Sequence, residues 1–96
     1  MTTLVPAAGV RAARCGEEIV LLDASSARLH VLDDASALVW TCFDGDTTVG
    51  EIVEDLADVF ACDVEDVRAF VDALVVQLVA RGVLVAVPSS VPVARA

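Results

Sequence analysis

The residues able to do chemistry in this chain are few and poorly spaced for it. His30 is the single histidine, and Cys15, Cys42 and Cys62 are the three thiols. A nucleophilic Cys–His pair or a thiolate–imidazole metal site would need His30 beside one of those thiols, and nothing in the spacing places it there. An odd number of widely separated cysteines suits neither a disulfide framework nor a CxxC metal motif, so reduced, mostly buried thiols are expected. Carboxylates are abundant, yet Glu51, Glu54, Asp55 and Asp58 fall at i, i+3, i+4 and i+7. That spacing describes a solvated helix face rather than a general acid and its base. There is no Gly-rich phosphate loop, no Ser–His–Asp set with a base other than His30 and no nucleotide fingerprint. The expectation is a chain that is not an enzyme and holds no metal or cofactor.

Composition narrows the remaining classes. At 96 residues the chain can bury one core, and with an apolar fraction of 57% but only three Phe and one Trp, that core must be built of Val, Leu and Ala. Six Arg and no Lys stand against 15 acidic residues, for a net charge of −9. Such a surface repels phosphate backbones and anionic membranes, so neither nucleic acid nor membrane is an expected partner. Apolar runs such as Val71 to Val79 are broken by Asp72 and Gln77 and fall short of the roughly 20 residues a bilayer span needs. The start, MTTLVPAAGVRAAR, lacks the basic stretch and apolar block of a secretory signal, and with the unpaired thiols this points to a cytoplasmic protein.

The elements follow in order. Residues 1–9 read as a flexible lead-in and 88–96, Pro- and Ser-rich, as a flexible tail, leaving one domain over 10–87. Val10 to Cys15 is short and extended, and Glu18 to Ala24 is the clearest strand, ended by Ala24-Ser25-Ser26. Arg28 to Leu32 alternates, with Leu29 and Val31 on one face and Arg28, His30 and Leu32 on the other. These three strands predict an antiparallel meander whose last strand has a free edge. Asp33 and Asp34 precede a helix with a stripe of Leu38, Val39, Cys42 and Phe43, beside which lies Trp40. Asp44-Gly45-Asp46 stops it, and Thr48-Val49-Gly50-Glu51 is a capping box for a second helix, whose predicted buried face is Ile52, Val53, Leu56, Ala57, Val59 and Phe60. A third helix spans about Val64 to Arg81, with an apolar arc of Val67, Phe70, Val71, Leu74, Val75 and Leu78. Gly82 ends it, and Val83 to Val87 reads as a strand. The fold class is α+β, resembling a winged helix-turn-helix: a three-stranded antiparallel sheet, three helices and a short C-terminal strand.

Two binding functions fit that skeleton. A winged-helix DNA-binding regulator would use the third helix for recognition, but Arg68 and Arg81 are outweighed there by Glu65, Asp66 and Asp72. A peptide-binding module would instead take an extended peptide on the free edge of Arg28 to Leu32, with the apolar arc supplying pockets for alternate side chains. A structural partner subunit of an enzyme, without a peptide ligand, is the other alternative.

The segments VLLDASSARLHVLDDASALVWTCFDGDTTVGEIVEDL and VRAFVDALVVQLVARGVL resemble the PqqD-like family, the RiPP recognition elements. The likeness runs from about Cys15 to Leu84 and is most specific in Trp40 to Ile52 together with Leu74, Leu78 and Arg81-Gly82-Val83-Leu84. It departs at Asp33-Asp34-Ala35-Ser36, where members often have Asn followed by Thr-Gly or Thr-Ala, although Asp33 and Ser36 cap equally well. The resemblance implies a peptide chaperone that binds the leader of a ribosomally synthesised precursor and delivers it to a modifying enzyme, such as a radical SAM enzyme or a leader protease. By position, the peptide-binding edge would be Arg28, Leu29, His30, Val31 and Leu32, and the groove wall Val67, Phe70, Val71, Leu74 and Leu78. Arg28 and Arg68 would be candidates for pairing with acidic leader residues, and Trp40 would be structural. A charge at Leu74 or Val71 is accordingly expected to weaken leader binding more than it lowers the melting temperature.

Overall fold

The structure, a computed structural model, describes residues 2–88. Its elements are β1 (Thr2–Pro6), β2 (Val10–Cys15), β3 (Glu18–Asp23), β4 (Arg28–Leu32), α1 (Asp34–Trp40), α2 (Val49–Phe60), α3 (Val64–Ala80) and β5 (Leu84–Pro88). β2, β3 and β4 form the expected antiparallel meander in that order, which leaves β4 with an unpaired edge. The turn between β3 and β4 is closed by the Asp23 carboxylate, which accepts from the Ser25 and Ser26 hydroxyls and the Ser25 amide. The Ser25 hydroxyl bond leads in holding this carboxyl below its usual range.

The lead-in differs from its sequence expectation. Thr2–Pro6 is a strand that pairs antiparallel with β5, from Thr2↔Pro88 to Pro6↔Leu84. Leu4 and Thr3 are buried, and the Thr3 hydroxyl donates to the Gly45 carbonyl at 2.7 Å. An apolar β5 left alone would expose its backbone groups, and β1 satisfies them. The tail expected to be flexible lies outside the described residues from 89 onward, and Pro88 itself belongs to β5.

Helix boundaries follow their local signals. Asp33 caps α1 by accepting from the Ser36 amide, and Asp63 caps α3 through the Glu65 amide. The Ser36 amide also holds the Asp33 carboxyl below its usual range. The capping box of α2 is complete, with Thr48 Oγ1 accepting from the Glu51 amide at 3.2 Å and Glu51 Oε1 accepting from the Thr48 amide at 2.9 Å. Thr48→Ala is therefore expected to destabilise the fold by roughly 1–2 kcal/mol, lowering the melting temperature by at least about 4 °C in a calorimetric scan. A Thr48→Ser variant, which keeps the hydroxyl, should melt close to the parent.

The inner face of the meander, the helices and β5 share one core. Leu21, Val53, Val71 and Val83 are fully buried, and Ile52, Leu78 and Leu84 nearly so. Trp40 is buried and meets Phe43 edge to face at 6.3 Å between ring centroids, which gives it the expected structural role. Three expectations of burial fail. Val59 and Phe60 are 71% and 55% exposed, because the last turn of α2 projects past the core before Ala61, in a left-handed conformation, turns the chain into α3. Leu38 on α1 is 41% exposed. Cys15 and Cys62 are exposed rather than buried, since one closes β2 at a hairpin tip and the other lies in the α2–α3 turn. Only Cys42 is partly covered, and burial pushes its thiol pKa up, away from the reactive thiolate.

Candidate functional site

The predicted edge strand is present, and the structure decides which of its two faces meets the core. Leu32 points into the core, His30 is half-buried, and Leu29 and Val31 stand 66% and 63% exposed. Arg28 is exposed at the start of the strand. The His30 Nε2 atom is shielded and has no hydrogen-bond partner among the described residues. One side of β4 is bonded to β3 through pairs from Ile19↔Leu32 to Asp23↔Arg28. Its other side keeps its N–H and C=O groups free to template an added strand.

The predicted wall divides in two. Val71, Leu74 and Leu78 are core residues with 0%, 7% and 1% exposure, so they support α3 from beneath rather than face a ligand. Val67 is half-buried and Phe70 is 43% exposed, and these two line a cavity of about 710 Å³. Its other apolar walls are Leu38 and Val39 of α1 and Leu56 and Phe60 of α2. Arg14, Glu17, Asp34 and Asp66 stand among its polar lining. Asp34 and Ala35 begin α1 one residue after β4, and Arg14 of β2 and Glu17 of the β2–β3 turn line the cavity too, so it lies at the end of the sheet where β4 passes into α1. Leu38, Leu56 and Phe60 were not among the predicted site residues. For Leu38 and Phe60, sequence periodicity gave a helix face but not the part of it left uncovered.

Among the described residues no three His, Cys, Asp or Glu side chains converge as a metal would require, and no helix is long and apolar enough to cross a membrane. The Asp44 carboxylate is held below its usual range by the Asp46 and Thr47 amides, as a turn-closing acceptor. An unpaired strand edge supplies sequence-independent hydrogen bonds, and an apolar cavity at its end supplies a place for one large side chain.

A search of curated proteins finds no match to the chain. Among solved structures it is similar to TbiB1, in a structure described as "TbiB1 in Complex with the TbiA(beta) Leader Peptide". The two share 20% sequence identity and a TM-score of 0.76 over 82% of this chain and 92% of that one, a likeness of fold. The sequence profile of coenzyme PQQ synthesis protein D, PqqD, matches residues 18–84, from the first residue of β3 to the first of β5. With the third and fourth strands and all three helices inside that profile, the chain belongs to the PqqD family.

Proposed function

We propose that this chain is a leader-peptide-binding domain, a RiPP recognition element without catalytic activity of its own. It takes the leader of a ribosomally synthesised precursor as a strand added along β4 and seats a large apolar leader side chain between Phe70, Val67 and Leu38. The precursor is thereby presented to a modifying enzyme in the cytoplasm, such as a radical SAM enzyme or a leader protease. The observation that carries this reading is the unpaired β4 edge together with the apolar-walled cavity lined by the start of α1, which follows that strand after one residue. It is supported by the fold shared with TbiB1, which is described in complex with a leader peptide. Filling the cavity with an aromatic or aliphatic side chain is worth about 1.5–3 kcal/mol, and the added ladder fixes the register.

Calorimetric titration with the leader of the precursor encoded beside this chain is expected to show saturable binding at one peptide per domain. A folded protein that gives no binding would overturn the proposal. In parallel, DNA retention at low salt is expected to be negligible, because the net charge of −9 offers few phosphate contacts.

A further inference from the structure

Building on leader binding at this cavity, we infer that the leader element it takes is a large apolar residue with a cationic neighbour, Arg or Lys, within about two positions. The cavity measures about 710 Å³, whereas about 150 Å³ is enough to hold a benzene ring, so an anchor side chain leaves room for its neighbours in the peptide. Successive residues of an extended peptide lie roughly 3.3 Å apart, so only those one or two positions away reach into the same space.

Charge selects that neighbour. Glu17, Asp34 and Asp66 line the cavity against one guanidinium, that of Arg14. Glu17 and Asp66 are exposed, and neither they nor Arg14 is held in an ion pair among the described residues. Were Arg14 to neutralise one carboxylate, two would remain uncompensated. The helix dipole accounts for Asp34 and Asp66, each in the first turn of its helix, but not for Glu17 in the β2–β3 turn. An acidic leader residue is repelled here, and a neutral one covers carboxylates without giving them a partner. A cation meets opposite charge from three elements. The rings of Phe60 and Phe70 line the same cavity, and aromatic faces attract a guanidinium or ammonium group as well. The net charge of −9 draws a cationic segment toward the whole domain.

Titration calorimetry with the synthetic leader of the precursor encoded beside this chain tests this. An alanine scan of the leader identifies the anchor as the apolar residue whose loss weakens binding most, and an Arg or Lys is expected beside it. Changing that cation to Glu should weaken binding to the parent domain by about tenfold, and affinity of the unchanged leader should fall severalfold between low salt and about 0.5 M. The same Glu-bearing leader should bind a Glu17→Lys/Asp66→Lys domain more tightly than it binds the parent. Carboxylates with a purely structural role would show no such coupling. Both side chains are exposed, so this domain variant should melt close to the parent, and Glu17→Lys alone, outside every helix, provides the same cycle if the pair misfolds. A leader that binds with no cation beside its anchor, binds independently of salt, or loses equal affinity for both domains on the change to Glu overturns the inference and leaves leader binding standing. A folded domain that takes no leader overturns leader binding itself.

Discussion

Phe70→Asp is expected to lose leader binding while melting within a few degrees of the parent, whereas Val71→Asp, one residue on, is expected to unfold the domain. The two positions sit on the same helix and contribute to the same apolar arc, but their surroundings are opposite. Phe70 is 43% exposed on the cavity wall, so a carboxylate there remains hydrated and costs the fold little beyond lost contacts and helix propensity. It replaces an apolar anchor contact with a charge near Asp66 and Asp34, a change expected to weaken binding by roughly 2 kcal/mol or more, about thirtyfold. Val71 has 0% exposure, and an unpaired carboxylate in its place costs several kcal/mol, a large share of the roughly 5–15 kcal/mol that holds a domain together. Leu74, at 7%, should behave like Val71. This reverses the expectation from sequence that a charge at Val71 or Leu74 would report on binding before stability. Titration calorimetry and thermal melts on both variants decide it. If Phe70→Asp binds like the parent, the cavity is not the peptide site.

The difference between those neighbours shows which parts of this protein are written locally. Caps, turns and helix starts depend on residues within one turn of each other, and Asp33, Thr48 and Gly82 act where their types and spacing indicate. The meander was legible for the same reason. The pairing of β1 with β5 was not, because it joins residues more than 75 positions apart and neither strand carries a signal naming its partner. Periodicity also fails where both faces of an element are apolar. In β4 the pattern separates Leu29 and Val31 from His30 and Leu32 without saying which pair meets the core, and the structure buries Leu32. Likewise the arc of α3 contains Phe70 and Val71 alike, and only the packing of α2 and the sheet around it decides which is wall and which is core. The open edge was thus readable as a position in the chain, and the cavity beside it was not, since three distant helices build it.

Gly45→Ala is expected to lower the melting temperature by more than about 10 °C, a larger loss than any cap substitution should produce. Gly45 has φ +84°, which an L-residue adopts only with strain of about 1–3 kcal/mol. An added Cβ would also stand 2.8 Å from Val5 Cγ1, so the Val5 side chain must rotate, β1 must shift or the turn must open, for roughly another 1–3 kcal/mol. The two contributions separate experimentally. Gly9 has φ +86° with no atom within 4 Å of the place an alanine methyl would occupy, so Gly9→Ala carries the backbone strain alone. Thr3→Val removes the hydroxyl that donates to the Gly45 carbonyl while keeping the side-chain shape, and should cost about 1–3 kcal/mol through the acceptor left unsatisfied. If Gly45→Ala melts with Gly9→Ala, β1 does not seat against the Asp-Gly turn and the β1–β5 pair is not part of the cooperative fold. If it melts well below, the turn between α1 and α2 is the point where the first strand locks the helices that shape the cavity. Leader affinity measured below the melting transition should then match the parent, because no residue of the Asp44–Asp46 turn lines the cavity.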